Sequence, residues 1–281
     1  MNTFLKNILI RCIGGYINIL SHISPKSASR LAYRYFSEPR DGRLNQRKLP
    51  TVLQKATREF IEQNEHRFPV YIWEGNDHKV LLVHGWESNA SRWENLIQHI
   101  QQSGSTIIAL DAPAHGLANG HEFTVPRYAE FVHLVIQKYT PKVLIGHSMG
   151  GATCLFYQHH YPNAFIEKMV LLGAPSDLKI LIQNFVNILR LNTKMSRLIE
   201  NHFIEKFKIK IDDFSGKTLG ASLKIKGIVA HDEEDSIVNF TESQKIIAGW
   251  KEATFIKTKG LGHSMHDEVL YQKIYQFLYE T

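Results

Sequence analysis

The sequence holds only two cysteines, Cys12 and Cys154, in 281 residues. That excludes a disulfide framework and a multi-cysteine zinc site, and it suits a reducing compartment. No stretch of about 20 mostly apolar residues is present, so a membrane-spanning helix is not expected. Internal repeats and low-complexity tracts are absent too. Charge of one sign is not concentrated: 33 Lys and Arg face 27 Asp and Glu, a formal +6, with only mild basic clusters at 34–48 and 206–226. A nucleic-acid binder would gather that excess into a stripe with interleaved aromatics. What remains is 43% hydrophobic and 21% charged, the balance of a globular protein long enough to bury its own core.

The amino terminus carries Leu5, Ile8, Leu9, Ile13, Tyr16, Ile17 and Leu20 at steps of one to four residues, with Lys6, Asn7, Arg11 and Asn18 between them. This is the spacing of an amphipathic helix. Arg11 and the Gly14-Gly15 pair break the apolar segment that a secretory signal needs. Two readings of residues 1–23 stand: packing onto the protein body, or peripheral contact with a membrane surface.

Residues 24–66 are polar and basic, punctuated by Pro25, Pro39, Asp41-Gly42 and Pro50. From Phe68 onward, short apolar runs alternate with helical patterns. Strands are expected at 70–73, 80–83, 106–110, 143–145, 169–172, 225–230 and 254–256. Helices are expected near 91–102, 126–139, 150–161, 240–249 and 267–279. That alternation predicts an α/β fold whose mostly parallel sheet is flanked by helices on both faces. Residues 177–222 interrupt it with helical periodicity (Ile180, Leu181, Phe185, Ile188, Leu189) and no strand, the mark of a helical cap insertion. The expected organisation is an N-terminal helical extension over 1–66 and a catalytic domain over 67–281 that includes the cap.

The strongest local signal lies at 142–151. A buried-strand run enters Gly146-His147-Ser148-Met149-Gly150 and a helix follows, so the G-x-S-x-G pattern sits in the strand–turn–helix setting its mechanics require. Serine is a weak nucleophile until a histidine base, held by a carboxylate, takes its proton. Among 15 histidines, His263 follows the last strand on a glycine-marked loop, at the same carboxyl edge of a parallel sheet as Ser148. His266 ranks second, because it belongs to the start of the final helix. The loop after 225–230 offers Asp232, Glu233, Glu234 and Asp235. Asp235, three residues before the anchoring Val238, is the first candidate and Asp232 the second. Backbone N–H groups of Trp86, after His84-Gly85, and of Met149 are the expected oxyanion donors.

These motifs, with Asp111-Ala-Pro-Ala-His-Gly116 between them, fall in an order that resembles the α/β-hydrolase family over about residues 70–277, closest to a bacterial branch. The resemblance implies an eight-stranded, mostly parallel sheet, a Ser–Asp–His triad and a cap inserted after the sixth strand. Ala114 stands where many members have glycine. Asp111 and His115 are read as structural, Cys154 as core, and Trp86 and Trp93 as core or acyl-pocket residues. His159 and His160 are adjacent on one helix and cannot share a metal.

The expected function is hydrolysis of carboxylic esters with small-to-medium apolar acyl groups through an acyl-enzyme, with neither cofactor nor metal. The apolar cap segment carries the acyl expectation. Thioesterase, amidase, C–C hydrolase and acyltransferase chemistry on the same triad are alternatives, as is a ligand-binding receptor without turnover. The expected partner is a small ester or related acyl substrate. The expected location is cytoplasmic, extending to the inner membrane surface if residues 1–23 dock there.

Overall fold

The protein is described by a computed structural model covering residues 3–161 and 163–280, and it divides into two compact units. The larger holds residues 39–176 and 216–281; the smaller joins 1–38 to 177–215. Residues 1 and 2 of the candidate 1–23 membrane segment lie outside the described residues.

The larger unit is built on eight strands in the order β1-β2-β4-β3-β5-β6-β7-β8. They are β1 (Thr57–Gln63), β2 (His66–Trp73), β3 (Asn76–Val83), β4 (Ser105–Leu110), β5 (Val143–His147), β6 (Lys168–Leu172), β7 (Lys226–Asp232) and β8 (Ala253–Thr258). Pairing is antiparallel from β1 to β2 and from β2 to β4, and parallel from β4 onward. On one face Val80, Leu82, Ile145, Val170 and Ile228 join a core cluster with Leu96, Ile97, Leu270 and Ile274. Those last four come from the helices Glu94–Gln101 and Glu268–Tyr279. The alternate residues Leu81, Leu144 and Val229 are fully buried as well. A sheet buried on both faces explains why its central strands read as continuous Val, Ile and Leu runs.

Seven of these strands coincide with the sequence expectation and one does not. β1 lies inside the stretch expected to be a helical extension. Its sequence, Thr-Arg-Glu-Phe-Ile-Glu-Gln, is mostly polar because it is a sheet edge, and edge strands are commonly charged. It is paired to β2 along its whole length, from Thr57 opposite Ile72 to Gln63 opposite His66. Arg43 adds a bridge to Gly116. Residues 39–66 therefore belong with the sheet, and the expected boundary at 66 moves to 38.

The smaller unit is helical: α1 (Thr3–Ile23), α2 (Pro25–Ser37), α3 (Leu178–Leu189) and α4 (Thr193–Phe207). Its two sequence segments are stitched by hydrogen bonds that local periodicity cannot reveal. Asn18 Nδ2 donates to the Arg190 carbonyl at 3.0 Å and its Oδ1 accepts from the Asn192 amide at 2.9 Å. Lys194 Nζ donates to the Ser21 carbonyl at 2.8 Å, and Ser29 Oγ to that of Leu198 at 3.0 Å. Gly14 is where α1 meets the end of α3: a Cβ there would stand 1.8 Å from the Leu189 carbonyl oxygen. Between β6 and β7 the chain runs through α3 and α4, whereas residues 216–221 of the expected 177–222 segment form a short helix of the larger unit. That helix packs through Gly216, whose Cβ would come within 2.7 Å of the Ile246 side chain.

Candidate active site

β5 ends at His147 and the helix Met149–His160 begins two residues later, leaving Ser148 alone at the corner. Its backbone sits at φ 54° and ψ −125°, a strained conformation for a residue with a Cβ. Such strain costs about 1–3 kcal/mol and persists only where the surroundings over-determine it. Here they do. A Cβ on Gly150 would lie 2.0 Å from the Val83 carbonyl oxygen, and one on Gly146 would lie 2.7 Å from the backbone of Gly151. The turn is thus pressed against β3 and against its own helix, and the Ser148 hydroxyl is left facing His263.

His263 reaches Ser148 from the loop after β8. Its Nε2 is 2.9 Å from Ser148 Oγ and its Nδ1 is 2.7 Å from Asp235 Oδ2. A carboxylate only accepts, so Nδ1 carries the proton and Nε2 is left to accept from the serine hydroxyl. Asp235 Oδ1 accepts from the amides of Ile237 and Val238 at 2.8 and 2.9 Å. Burial pushes the Asp235 carboxyl up, but hydrogen bonds from His231, His263, Val238 and Ile237 outweigh it and hold the group well below the usual carboxylate range.

The other candidates are occupied elsewhere. Asp232 accepts from Thr258 Oγ1 at 2.9 Å and from the Leu261 amide at 3.0 Å, so it ties down the loop that carries His263. Glu233 and Glu234 are exposed. His266 Nδ1 is bonded to the Tyr271 hydroxyl.

The loop after β3 lies beside the serine. A Cβ on Gly85 would stand 2.8 Å from the Ser148 Cβ and 3.4 Å from the Met149 nitrogen. The backbone entering Trp86 is therefore against the start of the helix, where the first amides have no partner within the helix. His84 is spent on that loop: Nε2 accepts from the Ala112 amide at 2.9 Å and Nδ1 donates to the Gly85 carbonyl at 2.8 Å. Burial holds its imidazole far below the ordinary range, so it is neutral. The Trp86 ring meets His115 and Phe123 edge-on, whereas Trp93 is core.

Asp111 and His115 are staples. Asp111 accepts from Tyr71 Oη at 3.0 Å, the Leu117 amide at 2.9 Å and the Ala90 amide at 3.0 Å. Burial, opposed by those three bonds, leaves its carboxyl raised to about 6. Asp111→Ala strands the buried Ala90 amide, the half-buried Leu117 amide and a buried phenol, so a loss of about 3 kcal/mol or more in urea unfolding is expected. Asp111→Asn, which keeps acceptor capacity, is expected to lose less. Ala114, noted in sequence for replacing glycine, sits at φ 64° in the same loop.

Two further histidines frame the site and were not singled out from sequence. His231 Nε2 donates to the Val238 carbonyl at 2.9 Å and lies 3.3 Å from Asp235 Oδ2, while its Nδ1 is bonded to Ser243 Oγ. His147 Nε2 donates to the His263 carbonyl at 2.7 Å. The available signal was position: each stands at a strand's end beside a triad candidate.

Fold and site together define an α/β protein with a strained serine at a strand–helix corner and a histidine–carboxylate pair bonded to it. A family model described as alpha/beta hydrolase fold matches residues 79–193. The chain is 30% identical over 103 residues to a monoacylglycerol lipase of Mycolicibacterium smegmatis, covering 34% of this chain and 36% of that one. It is 26% identical over 156 residues to a monoglyceride lipase of Rattus norvegicus, covering 50% and 51%. The matches thus span about a third to a half of those relatives. Among solved structures, mouse alpha/beta hydrolase domain-containing protein 10 superposes with a TM-score of 0.61 at 16% identity, over 79% of this chain and 97% of that one. The chain therefore has the α/β-hydrolase fold, and over residues 79–193 it is similar to that family.

Proposed function

We propose that the protein is a serine hydrolase that cleaves carboxylic esters of small-to-medium apolar acyl groups through an acyl-enzyme. The observation that carries this reading is the continuous path from strained Ser148 through His263 to Asp235, with contacts of 2.9 and 2.7 Å. Relatives named as monoacylglycerol and monoglyceride lipases support an apolar acyl ester as the substrate.

In this reading Ser148 Oγ attacks the ester carbonyl carbon as its proton passes to His263 Nε2. The electron pair of the C=O bond moves to oxygen, and the amides of Trp86 and Met149 hold that oxyanion. The C–O bond to the alcohol then breaks, and the alcohol leaves with the proton from Nε2. A water molecule gives its proton to Nε2 and attacks the acyl carbon. Collapse returns the proton to Ser148 Oγ and releases the acid. Asp235, ionised throughout, stabilises the imidazolium formed in each half.

A series of p-nitrophenyl esters of rising acyl length tests the substrate class. Turnover that rises and then falls with chain length is expected. Flat, negligible rates across the series would remove the ester reading.

A further inference from the structure

α1 has two unlike faces. One packs into the smaller unit through Gly14, Ile17 and Ser21, all buried. The other presents Leu5, Ile8, Leu9, Tyr16, Ile19 and Ile23 to solvent, at 43–76% exposure. These six are more than half of the eleven large apolar side chains that are exposed among the described residues. With the exposed Cys12, Leu5, Leu9, Tyr16, Ile19 and Ile23 recur at steps of three and four, which makes one unbroken stripe. At about 1.5 Å per residue it runs roughly 27 Å. Solvated surfaces rarely carry such a patch without a partner.

Charge indicates which partner. The smaller unit, residues 1–38 and 177–215, holds 12 Lys and Arg against 6 Asp and Glu. The larger unit holds 21 of each, so the whole formal +6 sits in the unit that bears the stripe. Arg11, three residues after Ile8, and His22, three after Ile19, edge the stripe and are exposed. Lys26, Arg30 and Arg34 are exposed on α2, the next helix. A second copy docked face to face would bring two such charges together. An anionic surface would be attracted to both features at once. No described helix is long and apolar enough to cross a bilayer, so contact would be in the plane of the surface.

We propose that the exposed face of α1 docks the protein onto an anionic lipid bilayer, with the apolar stripe at the acyl boundary and the surrounding cations on the headgroups. The proposal does not rest on the chemistry at Ser148, and its test reads binding rather than turnover.

The test is co-sedimentation of the full chain with vesicles of phosphatidylcholine alone or of equimolar phosphatidylcholine and phosphatidylserine. Binding to the second is expected to exceed binding to the first by about tenfold or more and to fall as salt screens the cations. Leu9→Glu with Ile19→Glu, both exposed, is expected to cut binding by about tenfold or more with an unchanged circular-dichroism spectrum. Tyr16→Ser with Ile23→Ser serves as the second variant should the first misfold. Absence of wild-type binding, equal binding to both vesicles, or undiminished binding by a folded variant would overturn the proposal. So would a stable dimer in sedimentation equilibrium that either variant turns into monomer, because the stripe would then belong to a second copy.

Discussion

His263→Ala is expected to lower kcat/KM on a p-nitrophenyl ester by about four to six orders of magnitude, while His266→Ala stays within a few-fold of wild type. The two histidines lie three residues apart, and geometry separates them. His263 alone touches both Ser148 Oγ and Asp235 Oδ2, at 2.9 and 2.7 Å. Its loop is held by Asp232 through Thr258 and Leu261, by His147 on the His263 carbonyl, and by Arg92 Nη2 on the Ser264 carbonyl at 3.0 Å. These anchors act on backbone or neighbouring side chains, so the alanine variant is expected to keep the loop in place. Its defect then reads as lost proton transfer rather than misfolding. Activity that survives in His263→Ala and vanishes in His266→Ala would assign the base to the wrong residue.

Asp235→Asn is expected to lower kcat by about 10⁴ with KM little changed. Asp235 Oδ1 accepts from the Ile237 and Val238 amides, which fixes the amide oxygen of an asparagine at that position. The NH₂ group is then forced to where Oδ2 now faces His263 Nδ1 and His231 Nε2. Facing a donor, Nδ1 must give up its proton and become the acceptor. Nε2 is then protonated and cannot take the proton of Ser148. The same substitution has a signature in stability. The Asp235 carboxyl is depressed in the folded state, so its contribution is present above the ordinary carboxylate pKa of about 4 and is lost as pH falls below it. The stability difference between wild type and Asp235→Asn in urea is therefore expected to shrink from pH 7 toward pH 3, with the wild type the more stable at the upper end.

The parts of the protein that were legible in the sequence are those written in local pattern. Central strands such as 143–147 are continuous apolar runs because helices cover both faces, and Gly146 and Gly150 flank Ser148 because backbone from β3 and from the following helix leaves no room for a Cβ. His263 and Asp235 were legible because parallel strands deliver their loops to one edge. β1 was not, since an exposed edge strand needs polar residues and so loses the apolar signal. Nor was the union of 1–38 with 177–215. Both segments read as helices, but the bonds of Asn18 to Arg190 and Asn192 join residues more than 170 positions apart, and no periodicity encodes a partner at that distance. The role of Asp232 was hidden for another reason. Four carboxylates in one loop look alike in sequence, and only the position of Thr258 and Leu261 shows that one of them is a structural tie.

The central claim is that Ser148 is an activated nucleophile, and covalent labelling with a fluorophosphonate tests it most directly. Intact-mass and peptide mass spectrometry of the folded protein are expected to find one phosphonyl adduct, on Ser148, that disappears in His263→Ala. No adduct on folded wild-type protein, or an adduct on any residue other than Ser148, would contradict it.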